Sequence, residues 1–412
     1  MLGIVLSQVL QNSVENGIIA GDFEIELPHF TCRDTMEFVL WGSFLLVFYA
    51  YFGYPFLLMA VNRVSRGIDY RSLQYPDNLS VTLIIPVHNE EAVIGRKLDN
   101  TKALNFSGNL QVLIVSDGSS DNTVQIVKEF QGIDNLTFIE LEERKGKANA
   151  LNAGLQAASG DIIVFSDASI MFDAEAITEI VRPFALPEMG CVSGEDLIEG
   201  GSGEGLYGKY ELFLRKQESV TGSIVGASGS LYAQRKEIVT PFIEGVAPDF
   251  YSVLNTVEQG YRAISISESF GYMKAAESHK DEFNRKVRTL IRGITALFKK
   301  ARLLNPFNYP RFSLYLISHK LARWLVPFFL ISLLVSNLFL LDSPFYQVLL
   351  LLQLLFYAVA AVAAYSEPLQ KAVPLVKLPL FFVSVNVSIL KAWLKYLSGT
   401  RQEIWTPTKR SE

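Results

Sequence analysis

Between Val81 and Phe184 the chain passes four times through an uninterrupted apolar run and then changes to a helical period. The runs are "VTLIIPV" (Val81 to Val87), "LQVLIVSD" ending at Asp117, "LTFIEL" and "DIIVFSD" ending at Asp167. Each is short, aliphatic and bounded by turn residues, the pattern of a strand buried on both faces. Ala92, Val93, Leu98 and Ala103 give the segment after the first run an approximate helical face, and helices are expected near Thr123 to Phe130, Ala148 to Ala158 and Ala174 to Phe184. Alternating strands and helices imply right-handed crossovers and an α/β domain with a mostly parallel sheet.

In such a sheet ligands bind beyond the carboxyl ends of the strands. The residues there are "PVHNE" (Pro86 to Glu90), "SDGSSDNT" (Ser116 to Thr123) and "SDAS" (Ser166 to Ser169), so three strand ends deliver polar and acidic groups to one rim. Asp121 and Asp173 fit helix N-caps. Asp117 ends a strand before Gly118, which allows close approach of a ligand to the backbone; its carboxylate suits either donors on such a ligand or the turn itself. Gly146 and Lys147 stand at a helix start, where an anion is favoured, although a solvated basic turn is the better account of Lys145. "GASGS" (Gly226 to Ser230) is a stretch of small residues that lets a substrate approach the backbone. Asp249 in "PDF" suits either a helix cap or a general base.

The flanks are of another kind. Half of the 412 residues are apolar, and Phe38 to Val61 carries no charge, long enough to cross a bilayer. Arg63, Arg66 and Arg71 follow it, while Glu15, Asp22, Glu24, Glu26 and Asp34 precede it against a lone Arg33, so the central domain is expected on the cytoplasmic side. Trp324 to Leu341 and Phe345 to Tyr365, separated by "DSP", form a second candidate pair of spans. Pro374 to Leu397 contains Lys377, Lys391 and Lys395, which favours an interfacial or re-entrant path. The expected organisation is an extracytoplasmic tail (1–35), a transmembrane helix (36–61), a cytoplasmic domain (80–270), basic amphipathic helices (274–323), membrane helices (324–397) and a basic tail (398–412). Cys32 and Cys191 fall on opposite sides and do not pair. The formal net charge of −5 argues against general nucleic-acid binding. His88, His279 and His319 lack ligand spacing.

"LIIPVHNEE", "LIVSDGSSDNT", "RKGKANALNAGL" and "DIIVFSDAS", in this order, resemble the opening motifs of family 2 glycosyltransferases with the GT-A nucleotide-sugar fold. The similarity continues through "VGASGSLYAQRK", "PDFYSVLNTVEQGYRA" and "DEFNRKVRTLIRG", and the flanking helices resemble those of the membrane-bound polysaccharide-synthase-like branch. The resemblance implies that Asp117 contacts the donor nucleotide and that Asp167 is the first acid of a DxD motif binding Mg²⁺ or Mn²⁺. Ser169 stands where the second acid is usual, which weakens that site. Asp249 matches the catalytic base of a TED motif, here preceded by Pro248. "NRKVRT" resembles a divergent QxxRW motif, with Arg285 at the Gln, Arg288 at the Arg and Thr289 at the Trp; the same segment also forms an amphipathic helix with Phe283, Val287, Leu290, Ile291, Ile294 and Leu297 on its apolar face. The donor-binding candidates are Pro86, Asn89, Glu90, Asp117, Lys147, Arg285 and Arg288, the metal ligand is Asp167 and the base is Asp249.

What the resemblance implies is an inverting, hexosyltransferase-type enzyme in a bacterial inner membrane. It moves a sugar from a nucleotide-diphosphate donor to a growing glycan or lipid-linked acceptor in cell-surface polysaccharide or glycolipid synthesis. A non-catalytic nucleotide-sugar-binding subunit of an export complex is the alternative. The missing aromatic at Thr289 leaves processive and single transfer both open.

Overall fold

The computed structural model describes residues 31–65, 67–74, 79–198, 204–274 and 279–401. Among these, eight strands form one sheet in the order β3-β2-β1-β4-β7-β6-β8-β5. Strands β1 (Val81–Val87), β2 (Leu110–Asp117), β3 (Leu136–Leu141) and β4 (Ile162–Ser166) pair in parallel, as the alternating pattern requires. The second half differs. β7 (Leu231–Arg235) runs antiparallel to both β4 and β6 (Met189–Ile198), and β5 (Met171–Phe172) antiparallel to β8 (Arg262–Met273), so the sheet is mixed.

Side chains alternate across the strands and feed two cores. Leu83, Ile85, Val112, Ile114 and Val164 pack with Ile94 and Leu98 of α2 (Glu91–Lys102) and Ile177 and Ile180 of α5 (Ala176–Val181). On the other face Ile84, Leu113, Val115, Ile163 and Phe165 pack with Leu151 of α4 (Lys147–Ala157) and Leu254 of α7 (Pro248–Glu258). That second core continues through Ile291 and Ile294 of α8 (His279–Lys299) to Tyr54, Trp324 and Trp393 of the apolar helices. One face of the sheet is thus built into the helical bundle.

Four helices are long and apolar enough to cross a membrane: α1 (Cys32–Asn62), α9 (Pro310–Leu338), α10 (Pro344–Tyr365) and α11 (Pro374–Leu397). α11, for which the lysines suggest an interfacial path, is 24 residues long and by length and composition also a candidate span. Arg33 at the start of α1 forms an ion pair with Asp342 in the "DSP" turn between α9 and α10, so these two ends lie together. At the opposite end of α1, Asn62 donates to the Gln217 carbonyl of α6 (Glu204–Thr221) at 2.9 Å. The acidic residues expected outside the membrane at 15–26, together with Arg66 and residues 402–412 of the basic tail, lie outside the described residues.

A candidate active site at the strand ends

Pro86, Lys147, Asp167 and Asp249 line one narrow cleft with Phe165, Ser166, Gly229 and Tyr232. Four segments far apart in sequence supply them: β1 ends at the first, α4 begins at the second, β4 stops just before the third, and α7 opens beside the fourth. Asp167 is held by an ion pair from the Lys147 ammonium, both side chains being largely buried, and by Ser230 Oγ at 3.4 Å from Oδ2. Beneath it, Lys97 of α2 is fully buried and donates from Nζ to the Ile170 carbonyl at 2.8 Å. Asn100, one turn on, exchanges two hydrogen bonds with the Phe172 backbone at 2.7 and 2.8 Å. The turn carrying Asp167 and Ser169 is therefore anchored from below by a Lys-x-x-Asn pair.

Asp249 is the second residue of α7, after Pro248 at N1, and Ala247 is the N-cap. Its carboxylate makes no hydrogen bond or ion pair with the described residues, so it is not a cap. It lies instead across from Gly229, where an added Cβ would approach its Oδ2 to 3.9 Å. A half-exposed carboxylate held on a rigid first turn without a protein partner is available to an incoming proton donor.

Asp117 behaves otherwise than a strand-end acid open to a ligand. It is 1% exposed, and its two oxygens accept from the backbone N–H groups of Lys145 and Gly146 at 3.0 and 2.7 Å. Gly118, at φ +60°, lets this loop close, since a Cβ there would stand 2.7 Å from Arg144 N. The α4 N-terminus is also already provided with an anion: Glu244 accepts from Asn149 N at 3.1 Å, and its carboxylate lies where any Cβ on Gly146 would fall. Burial, opposed by backbone donors, holds the Glu244 carboxyl above the ordinary range. Sequence reading expected a ligand phosphate there; a protein carboxylate from the "FIEG" turn occupies the place. Asn89, at φ +52°, accepts from Ser120 N at 2.8 Å, and Glu90 N donates to Thr123 Oγ1 at 2.8 Å. Both tie the first strand end to the second. Asp121 accepts from Thr123 N and Glu91 N, and Asp173 from Glu175 N, but neither is the N-cap expected from the sequence: those positions are Asn122 and Glu175, so the two acids bond the helix start from just outside it.

On α8 the arginines divide. Arg288 and Arg292 lie one turn apart, and Arg292, 8% exposed, donates to the Val246 carbonyl at 3.1 Å. Burial pushes its guanidinium down against the opposing fields of Glu244, Asp249 and Asp167. Arg288 feels chiefly burial and the repulsion of Arg292 and Arg285. The arginine facing the acids is therefore Arg292, which the QxxRW-like reading passed over; the signal in the sequence is the "RG" pair one turn beyond Arg288. Arg285 lines a different space, a cavity of about 380 Å³ running from Asp249 between α8 and the apolar helices.

Residues 82–239 match the family described as glycosyl transferase family 2. Over 189 residues the chain is 29% identical to poly-beta-1,6-N-acetyl-D-glucosamine synthase of Staphylococcus aureus strain COL, covering 42% of this chain and 45% of that protein. It is 29% identical over 158 residues to the synthase of the same name in Staphylococcus epidermidis, covering 36% and 38%. The chain thus spans less than half the length of the curated relatives it matches. Among solved structures, a mannosyltransferase of Pyrobaculum calidifontis, PcManGT, in complex with GDP-Man and Mn²⁺, superposes with a TM-score of 0.68 at 21% identity, covering 89% of this chain and all of that one. The fold is that of the GT-A glycosyltransferases.

Proposed function

We propose, on the premise that residues 82–239 belong to glycosyl transferase family 2, that the whole chain is a membrane-embedded inverting glycosyltransferase. It transfers a sugar from a nucleotide-diphosphate donor to an acceptor in cell-surface polysaccharide or glycolipid synthesis. One observation carries this reading: Asp249, without a hydrogen-bond or ion-pair partner among the described residues, lines both the cleft of Asp167 and Lys147 and the cavity leading to the apolar helices. A general base belongs at such a junction, between a donor on one side and an acceptor on the other.

The acceptor hydroxyl is deprotonated by Asp249 as its oxygen attacks the anomeric carbon. Charge developing on the departing diphosphate is met by Lys147, Arg288 and Arg292. Asp117, Asn89, Glu90 and Pro86 shape the nucleotide pocket, with Asp117 acting through the 143–146 loop that its carboxylate holds. The donor set suits a hard cation held by Asp167 and the substrate's own phosphates, with Ser169 in place of a second acid. No cluster of three or more metal-type ligands exists among the described residues. When bound, such a cation supplies further charge neutralisation to the leaving group. The domain from 80 to 270 is placed at the cytoplasmic face, where nucleotide sugars are available, with the basic helices of 274–323 along the bilayer.

Asp249→Asn in purified membranes is expected to abolish sugar transfer while leaving donor-induced protection against thermal unfolding intact. Full transfer by this variant refutes the reading. Product sizing with labelled donor separates a polymer from a single glycolipid.

A further inference from the structure

The cavity beside Asp249 has an unusual composition for a sugar site. Its far wall is apolar and belongs to α11, with Phe381, Val385 and Ile389, while its middle carries Arg215, Lys320 and Arg323. Not all of that positive charge is spare. Arg323 donates to Glu211 at 2.5 Å, His319 bonds Glu211 and Glu218 at 3.0 and 2.7 Å, and Tyr54 donates to Glu218 at 2.7 Å. The two nearby carboxylates are thereby engaged. Among the described residues Arg215 donates to the Ala227 carbonyl at 3.2 Å and lies in the field of Glu195, and Lys320 makes no hydrogen bond or ion pair. An ammonium withdrawn from bulk water without such a partner is costly unless an anion completes the site.

The same loop measures the distance to the reacting centre. A Cβ on Gly226 would lie 3.8 Å from Lys320 Nζ, and one on Gly229 would lie 3.9 Å from Asp249 Oδ2. Gly226 and Gly229 belong to one short loop, and Lys320 and Asp249 line the same cavity, so one acceptor can meet both.

We propose that this cavity takes a lipid acceptor whose headgroup joins a phosphate to a free hydroxyl. The phosphate sits between Lys320 and Arg215, the hydroxyl at Asp249, and the hydrocarbon along Phe381, Val385 and Ile389. This rests on the glycosyltransferase reading and names its acceptor. In the transfer the hydroxyl O–H bond breaks and its proton passes to Asp249, while the oxygen bonds the anomeric carbon. The bond from that carbon to the donor's β-phosphate oxygen breaks, its electron pair leaving on the nucleoside diphosphate. A phosphate supplies hydrogen-bond acceptors to Lys320 and Arg215 that a neutral glycan matches less well, since Glu211 and Glu218 are already bonded to His319, Arg323 and Tyr54, and the apolar wall selects a lipid over a soluble phosphate.

The test uses the full chain in neutral detergent and three probes: dihexanoyl-phosphatidylinositol, octyl glucoside and inositol phosphate. The phospholipid is expected to bind at least about tenfold more tightly than either of the others, a difference of about 1.4 kcal/mol. Lys320→Gln and Arg215→Gln are each expected to weaken it by about tenfold without changing octyl glucoside binding, and Lys320→Arg to restore it. Equal binding of octyl glucoside, or an unchanged phospholipid affinity in Lys320→Gln, overturns the proposal in favour of a neutral acceptor. Equal binding of inositol phosphate overturns it in favour of a soluble one. Protection by UDP or GDP with Mn²⁺ is measured on the same sample. If a nucleotide protects and the phospholipid does not bind, only the acceptor assignment falls; if neither nucleotide protects, the transferase reading falls with it.

Discussion

Replacing Lys97 by methionine should remove the pH dependence of stability that this residue imposes. Lys97 is fully buried, with Nζ donating to the Ile170 carbonyl at 2.8 Å and lying 3.8 Å over the Phe172 ring. Burial pushes its ammonium from 10.5 down to about 7, against the favourable field of Asp167. Between these two values the unfolded chain holds the proton and the folded chain has released it, so the unfolded state binds more protons and stability rises with pH. The slope rises to about 1.4 kcal/mol per pH unit once the folded group has lost its proton, giving roughly 2 kcal/mol from pH 7 to pH 9. Below pH 7 both states are protonated and the penalty is fully present. Methionine keeps the length of the side chain without the charge, but leaves the Ile170 carbonyl unbonded, a cost of about 1–3 kcal/mol. Lys97→Met should therefore match or exceed the wild type in stability near pH 7 and fall behind it by pH 9. At no more than about 2 °C per kcal/mol for a chain of this length, the difference in unfolding midpoint should change by up to about 4 °C over that range. Melting of both proteins in detergent, followed by intrinsic fluorescence across the pH series, reads this directly. A wild-type-minus-variant difference independent of pH refutes the reasoning. A buried cation with this cost persists because it pins the turn that presents Asp167.

Three further outcomes are expected. Lys147→Met frees Asp167 of its ion pair, so Mn²⁺ should support nucleotide protection at about tenfold lower concentration, equivalent to about 1.4 kcal/mol, in a thermal-shift titration, while transfer slows for want of the ammonium. Gly146→Ala places a Cβ 2.6 Å from Glu244 Oε1 at φ +105°, a strain of about 1–3 kcal/mol that a lowered unfolding midpoint will register. Arg292→Gln should reduce kcat/KM by on the order of 100-fold, well beyond the loss in Arg288→Gln, because Arg292 is the guanidinium in the field of Asp167 and Asp249; equal losses in steady-state kinetics contradict that ranking.

Much of the molecule was legible in one dimension. The runs of β1, β2 and β4 were recognisable as strands because burial on both faces leaves little polar alternation to confuse the period, whereas β3, at the sheet edge, is only partly buried and leaves Thr137 and Glu140 exposed. The helices after them begin within a few residues of where the pattern put them. Asp167 and Asp249 were singled out because a strand end and a helix start are local features, visible from a few neighbours. The antiparallel course of β7 was not legible, since "LYAQR" carries no record of which strands flank it. Arg292 was missed because its importance depends on α8 turning one face to Val246 and the acids, whereas Arg288 matched a pattern of spacing.

The amino-acid sequence by itself determined the α/β alternation, the acids at the strand ends and three apolar segments of bilayer length, because each rests on periodicity or hydropathy within a short window. Only the tertiary structure decided which charges meet. Lys147 lies 20 residues before Asp167 and pairs with it; Asp117 spends its carboxylate on the backbone 28 and 29 residues ahead; Glu244 fills the helix end 95 residues behind it. Lys320 comes from an apolar helix to stand near the loop that leads to Asp249. Such encounters depend on chain reversals and packing, and the energy of a charge depends on what surrounds it in space.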